Sequence, residues 1–377
     1  MIARSLEYII KSKFGTEKAI IVLGPRHTGK TTLLQLIADN RGDYLLLDCD
    51  DPIVRDQLEN ANTSSIKQII GKHDLVLIDE AQRVKNIGIT LKIITDRFNS
   101  VQLLVSGSSS LDIRSEINEP LTGRKWEYML YPLSWGELHE HYGHLEMLKQ
   151  LETRIIYGMY PDVINKMGNE KEVLKQLSDS YLYKDLLSYK GIRKPELLNK
   201  LLTALALQIG NEVSYNELAS MLQVDKNTVS NYIDLLEKAF IVFRLQPFKR
   251  NMRSEISKSR KIYFYDTGIR NAIIANFKPL NFRNDSGALW ENFLISERIK
   301  YLHYSNIWAN SYFWRTKQQQ EIDYVEEKDG KIFAWEIKLN PTKRINFPKS
   351  FLEAYPDSET AIISRENFMT ILLRQNR

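Results

Sequence analysis

Gly24-Pro25-Arg26-His27-Thr28-Gly29-Lys30-Thr31 has the spacing G-x-x-x-x-G-K-[ST], which builds a phosphate cradle when it follows a strand and opens a helix. Its glycines let the backbone wrap closely, so that successive N–H groups and a helix N-terminus face a β-phosphate. Lys30 is then placed to reach the β and γ oxygens and Thr31 to ligate Mg²⁺, and with Thr32 the run forms the expected ATP contact. Asp79-Glu80 follows the apolar run Leu75-Val76-Leu77-Ile78. An aspartate at the tip of such a strand holds the metal through water, and the next carboxylate orients or deprotonates the attacking water. Ser108, in Ser106-Gly107-Ser108-Ser109, is the candidate contact to the γ-phosphate or that water, although a serine cluster equally suits a helix N-cap. Arg124, after Gly123, is either a cation for the transferring phosphoryl group, in cis or from a neighbouring subunit of a homo-oligomer, or a solvated surface arginine.

A second constellation lies near the C-terminus. Asp329-Gly330 suits a two-residue hairpin turn. Residue 328 then opposes 331, so that Asp323 faces Glu336, Ile322 faces Ile337 and Tyr324 faces Trp335. Two carboxylates come within ~5 Å, Cβ to Cβ, close enough to share a divalent ion, with Lys338 two residues along the same face. The alternation of Phe333, Trp335, Ile337 and Leu339 with Ala334, Glu336 and Lys338 predicts a strand with one wet face.

These groups need scaffolds. Ala19-Ile20-Ile21-Val22-Leu23, Tyr44-Leu45-Leu46-Leu47-Asp48, Leu75 to Ile78 and Gln102-Leu103-Leu104-Val105 are short apolar runs separated by helical stretches, the pattern of a parallel sheet covered on both faces. Glu146 to Tyr189 is helical in spacing, with interruptions at Pro161 and Gly168. Leu197 to Ile209, Ser214 to Leu222 and Asn227 to Phe240 read as three helices, followed by Ile241 to Leu245 and Lys261 to Tyr265 as two strands, which together predict a winged helix. Between those strands Lys249, Arg250, Arg253, Lys258, Arg260 and Lys261 stand against the single acid Glu255, and Lys226, Asn227, Thr228 and Asn231 open the third helix. Positive charge beside a helix suited to the major groove points to double-stranded DNA; a lid or assembly surface uses the same elements.

The chain has 377 residues, 43% hydrophobic and 26% charged, more than one core usually organises. A single cysteine, Cys49, excludes an intrachain disulfide and a cysteine zinc cluster. The first fourteen residues lack a signal-peptide core and no run reaches membrane-spanning length, so a cytoplasmic protein is expected.

The phosphate loop, Asp79-Glu80-Ala81-Gln82, Ser106-Gly107-Ser108, Leu121-Thr122-Gly123-Arg124 and Tyr157-Gly158-Met159-Tyr160-Pro161 resemble the AAA-superfamily ATPases of prokaryotes that carry a C-terminal domain of unknown function (family 4143). That resemblance implies the additional-strand arrangement, in which the serine-cluster strand lies between the strands leading to Lys30 and Asp79. Asp323 with Glu336-Ile337-Lys338 resembles the PD-(D/E)xK nuclease superfamily, whose extra acid falls on Glu291 in the helix 287–299. In that chemistry a metal lowers the pKa of a bound water and the lysine stabilises the hydroxide; an ordinary ion-paired hairpin and a nuclease fold that binds without cutting carry the same letters. The expected fold is α/β: a P-loop NTPase parallel sheet (1–140), a helical bridge (141–190), a winged-helix domain (191–280) and a nuclease-like α/β domain (281–377). The expected function is a Mg²⁺-dependent ATPase that engages DNA, with a nucleotide-controlled switch or scaffold as the rival.

Overall fold

A computed structural model describes residues 1–108, 117, 119–187, 195–248, 260–341 and 346–373, with the backbone alone for 180–187. The chain divides into two compact units, Met1–Leu133 with Lys238–Phe240, and Ser134–Glu237 with Ile241–Arg377. No described helix is long and apolar enough to cross a membrane.

The first unit is built on strands β1 (Ala19–Leu23), β2 (Leu45–Asp48), β3 (Leu75–Asp79), β4 (Gln102–Gly107) and β5 (Lys125–Met129), all parallel, in the order β2-β3-β4-β1-β5. β1 and β3 are apolar along their length because both faces are covered, and every residue of each is buried. β4 lies between β1 and β3, the order the resemblance implied. β5 escaped the sequence reading: an edge strand carrying Lys125 and Glu127, only half-buried for most of its length, has no apolar run to announce it.

The second unit opens with helices Trp135–Tyr142, His144–Tyr157, Pro161–Asn165 and Glu170–Leu187, broken at Pro161 and Gly168 where the spacing predicted. Tyr157-Gly158-Met159 serves packing here. Asp266, buried, accepts N–H donation from Met159 (2.7 Å) and Ile269 (3.0 Å). A Cβ on Gly158 would stand 2.1 Å from the Asp266 carboxylate, and one on Gly268 would stand 2.1 Å from the Tyr157 carbonyl oxygen. The end of one helix and the start of Thr267–Ile273 therefore interlock with backbone against backbone.

Three helices, Pro195–Leu207, Tyr215–Leu222 and Lys226–Lys238, accompany a sheet whose strands are β6 (Glu212–Val213, between the first two helices), β7 (Val242–Pro247), β8 (Arg260–Phe264), β9 (Asn310–Arg315), β10 (Glu321–Lys328), β11 (Lys331–Ile337) and β12 (Glu359–Ile363). Among the described residues its order is β12-β11-β10-β9-β7-β8-β6. β9 pairs in parallel with β7, placing Gln246 opposite Tyr312 and Pro247 opposite Phe313. β7 and β8 thus share one sheet with the C-terminal strands, which continues across residue 280.

The hairpin register is as derived. Asp329 and Gly330 have φ of 51° and 77°, the left-handed pair a type I′ turn requires, and pairing runs from Lys328–Lys331 to Tyr324–Trp335. The expected wet face is not there. Ala334 and Glu336 are 0% and 8% exposed, because Ala334 packs in a cluster with Phe248, Trp314, Ile322, Val325, Ile332 and Phe351 and Glu336 pairs with Lys338.

Replacing Gly268 by Ala drives a methyl group into the Tyr157 carbonyl and is expected to cost the second unit about 3 kcal/mol; an unchanged urea midpoint would show that the two backbones can separate.

Candidate functional site

β1 ends at Leu23, and the chain turns through Gly24 (φ 153°), where a Cβ would meet the Leu130 carbonyl oxygen at 2.2 Å. Only glycine allows this approach. Pro25 is buried, Arg26 half-buried and His27 exposed with φ of 60°. The buried Thr28 hydroxyl donates to the Pro25 carbonyl at 2.8 Å. Gly29 (φ 85°) caps the helix Lys30–Asp39, whose first turn carries Thr31 and the exposed Thr32. Lys30 turns back into the loop, its ammonium donating to the carbonyls of Gly24 (3.0 Å) and Pro25 (2.8 Å).

The buried Asp79 carboxylate at the tip of β3 meets the Thr31 hydroxyl, which donates to it at 2.8 Å, and the Ser106 hydroxyl from β4. Hydroxyl and carboxylate oxygens at this spacing are the hard donors Mg²⁺ takes. Ser106 also accepts the Glu80 N–H at 3.1 Å. Glu80 itself has φ 51° and ψ 40°, a left-handed conformation that costs a non-glycine residue ~1 kcal/mol and turns its carboxylate out of the strand direction. Gln82 holds that carboxylate with its amide nitrogen, which also donates to the Ser108 hydroxyl at 2.8 Å, while its amide oxygen accepts the Ser108 N–H at 3.2 Å. Ser108 therefore reaches Glu80 through Gln82. The sequence reading assigned no role to Ser106 or Gln82, although both lie inside motifs it singled out; the side-chain contacts that give them one join β3 to β4 and leave no trace in spacing. Cys49, buried beside this corner with its N–H on the Asp79 carbonyl (3.1 Å), has its thiol pushed up to about 12 by burial and by Asp48 and Asp79, so it is no nucleophile here.

Arg124 is elsewhere. It precedes β5, whose Lys125 stands opposite Ala19 at the start of β1, and its carbonyl accepts the Ala19 N–H at 3.0 Å. The loop begins past the far end of this five-residue strand, ~16 Å away at ~3.3 Å per residue, and the guanidinium pairs with Asp96. A role in cis does not fit this geometry.

The C-terminal residues do converge. Asp323 accepts the Ile337 N–H at 2.8 Å, and the Lys338 ammonium bridges Asp323 and Glu336 at 2.9 Å each. Glu291, on the helix Ser286–Tyr304, accepts from the Tyr263 hydroxyl at 2.5 Å and pairs with Lys261 at 3.1 Å. Lys261 also pairs with Glu321. The sequence reading counts Lys261 among the basic residues expected to face DNA at the start of the second wing strand; it is on that strand, β8, but 1% exposed and committed to carboxylates. Alternation along β8 turns its side chain toward the helix rather than toward solvent. Lys249, Arg250, Arg253 and Lys258 lie outside the described residues. Burial pushes the Glu291 carboxyl up to about 7 against the pull of Lys261, and burial followed by the Asp323 charge does the same for Glu336. Burial opposes the charge on Lys261, but Glu291, Glu321 and Asp323 outweigh it and hold the ammonium above its ordinary range. Among the described residues no set of three or more His, Cys, Asp or Glu side chains is gathered closely enough to hold a metal ion.

Residues 16–139 match the family described as an AAA domain. This part of the chain is an AAA-type P-loop ATPase domain. It contains the phosphate loop, Asp79 and Glu80. Beyond the AAA domain, residues 148–280 and 286–371 match two domains of unknown function, DUF8612 and DUF4143. An uncharacterized protein of Mycobacterium tuberculosis is 28% identical over 348 residues, covering 91% of this chain and 74% of that one; one from Methanocaldococcus jannaschii is 25% identical over 380 residues, covering 94% and 82%. The Walker-type ATPase of Pyrococcus abyssi shares the fold, with a TM-score of 0.50 and 15% identity over 73% of this chain and 96% of that one.

Because Gln82 grips Glu80 and Ser108 together, Gln82→Ala is expected to leave nucleotide affinity within a few-fold of wild type and lower kcat by at least about tenfold. Steady-state phosphate release against ATP concentration checks this; an unchanged kcat would make the contact idle.

Proposed function

We infer that the chain is a Mg²⁺-dependent ATPase that engages double-stranded DNA through residues 195–264 and carries a nuclease-like site at its C-terminal end. The observation that carries the first part is the meeting of the Thr31 hydroxyl and the Asp79 carboxylate at 2.8 Å beside the phosphate loop. Thr31 and Asp79 would hold Mg²⁺, which would supply positive charge to the phosphates. Lys30 exchanges the Gly24 and Pro25 carbonyls for those oxygens, and loop N–H groups take the rest of the charge. A water attacks the γ-phosphorus, its proton passes to Glu80, and the bond to the ADP oxygen breaks. Ser108, joined to Glu80 through Gln82, contacts the water or the γ-phosphate.

The DNA part rests on the winged-helix order of helices and strands within 195–264, and on Lys226, Asn227 and Asn231, exposed on the first turns of the third helix. The nuclease part rests on Asp323, Glu336 and Lys338 meeting as the hairpin register requires; Glu291 pairs with Lys261, which also pairs with Glu321, two residues before Asp323. A second reading has an observation of its own. Two buried or half-buried lysines already compensate these acids, which suits a C-terminal region that binds a partner without cutting, under control of the ATPase.

Purified full-length protein with ATP and Mg²⁺ or Mn²⁺, incubated with linear, circular and branched DNA, separates the two when phosphate release and strand cleavage are followed together. Lys30→Ala is expected to remove nucleotide binding, and Glu80→Gln to keep it while losing hydrolysis. Calorimetric ATP affinity unchanged in Lys30→Ala would sink the assignment of the loop. Under the nuclease reading, Asp323→Ala and Lys338→Ala each abolish metal-dependent cleavage; phosphate release that ignores DNA, with no cleavage that both variants remove, leaves the switch.

A further inference from the structure

Arg4 precedes the helix Ser5–Lys11, which Leu6 and Ile10, both 0% exposed, anchor in the first unit. Its guanidinium reaches the phosphate loop from behind: one terminal nitrogen donates to the Thr28 carbonyl and the other to the Tyr131 carbonyl, each at 2.7 Å. Tyr131 follows Leu130, the residue whose carbonyl lies against Gly24 and whose N–H donates to Leu23 at 2.7 Å. One fork thus ties the last third of the loop to the segment that supports its beginning.

The peptide between Thr28 and Gly29 is planar and trans, so its carbonyl and the Gly29 N–H point in opposite directions. Gly29 does little to fix that plane. It has no Cβ, and one built there would meet nothing within 4 Å, so rotation about its φ is sterically cheap. The Thr28 hydroxyl is bound to Pro25 and restrains the side chain rather than the following peptide. Arg4 donates directly to the carbonyl of that plane.

We propose that Arg4 is a positioning residue for nucleotide binding: by holding the Thr28 carbonyl outward it holds the Gly29 N–H inward, toward the phosphate, before ATP arrives. The guanidinium suits this because its planar fork serves two carbonyls at once, which a single ammonium does not do with the same geometry. Its effect falls on affinity, since the aligned N–H meets the phosphate in the ground state as well as during hydrolysis.

The test is steady-state ATP hydrolysis by the full chain, with the melting temperature followed with and without ADP. Arg4→Ala is expected to raise KM about tenfold, equivalent to ~1.4 kcal/mol, while kcat falls less than about threefold. The nucleotide-free melting temperature stays close to wild type and the rise on adding ADP shrinks. Arg4→Lys, which keeps the charge and loses the fork, recovers no more than about a third of the lost affinity. A KM within twofold of wild type overturns the proposal, and so does a loss of kcat and melting temperature with KM unmoved, the mark of a role in folding alone. Should Arg4→Ala fail to fold, the KM of Arg4→Lys decides by the same criterion.

Discussion

Two hydroxyls meet one carboxylate at the tip of β3, and much of the AAA domain follows from that meeting. With β4 between β1 and β3, the helix after the phosphate loop brings Thr31 and β4 brings Ser106 to the Asp79 carboxylate. The carboxylate has a requirement for such donors. Burial makes the requirement strict, because a carboxylate removed from water and left without donors costs several kcal/mol. The same hydroxyl of Ser106 accepts the Glu80 N–H, so the group that steadies Asp79 also sets where the next acid begins.

The C-terminal cluster meets the same constraint by a different route. Its acids are compensated by ammonium groups drawn from separate strands, Lys261 from β8 and Lys338 from just beyond β11. Removing one partner of a buried pair costs more than forming the pair gains, so the two lysines hold β8, β10 and the helix Ser286–Tyr304 in register with one another. The chemistry and the packing of this region are consequently hard to separate by substitution.

What could be read from the sequence were features fixed by local rules. The phosphate loop, the strand before it and the helix after it depend on steric demands at Gly24 and Gly29, and the hairpin register depends on a two-residue turn. What could not be read depended on partners distant in the chain. β5 has no apolar run because one side of it is an edge; Ala334 and Glu336 alternate as a wet face would, yet Ala334 packs with Trp314, Ile322 and Phe351 and Glu336 pairs with Lys338; Lys261 sits in a basic stretch, yet points at Glu291 from thirty positions away. Arg124 follows a glycine turn as an arginine finger would, but the register of β5 against β1 puts it at the opposite end of the sheet.

The parallel junction of β7 with β9 reaches beyond the site. A chain emerging residue by residue lays down β7 and β8 long before β9 exists, and until then Gln246, Pro247 and Phe248 present a sheet edge with open donors and acceptors. Pro247 removes one donor from that edge, which blunts it against pairing with a second nascent chain. The edge closes only when residues more than sixty positions downstream arrive. Synthesis therefore passes through a window in which this protein is most open to self-association, and a fragment ending near residue 280 would remain in that window permanently.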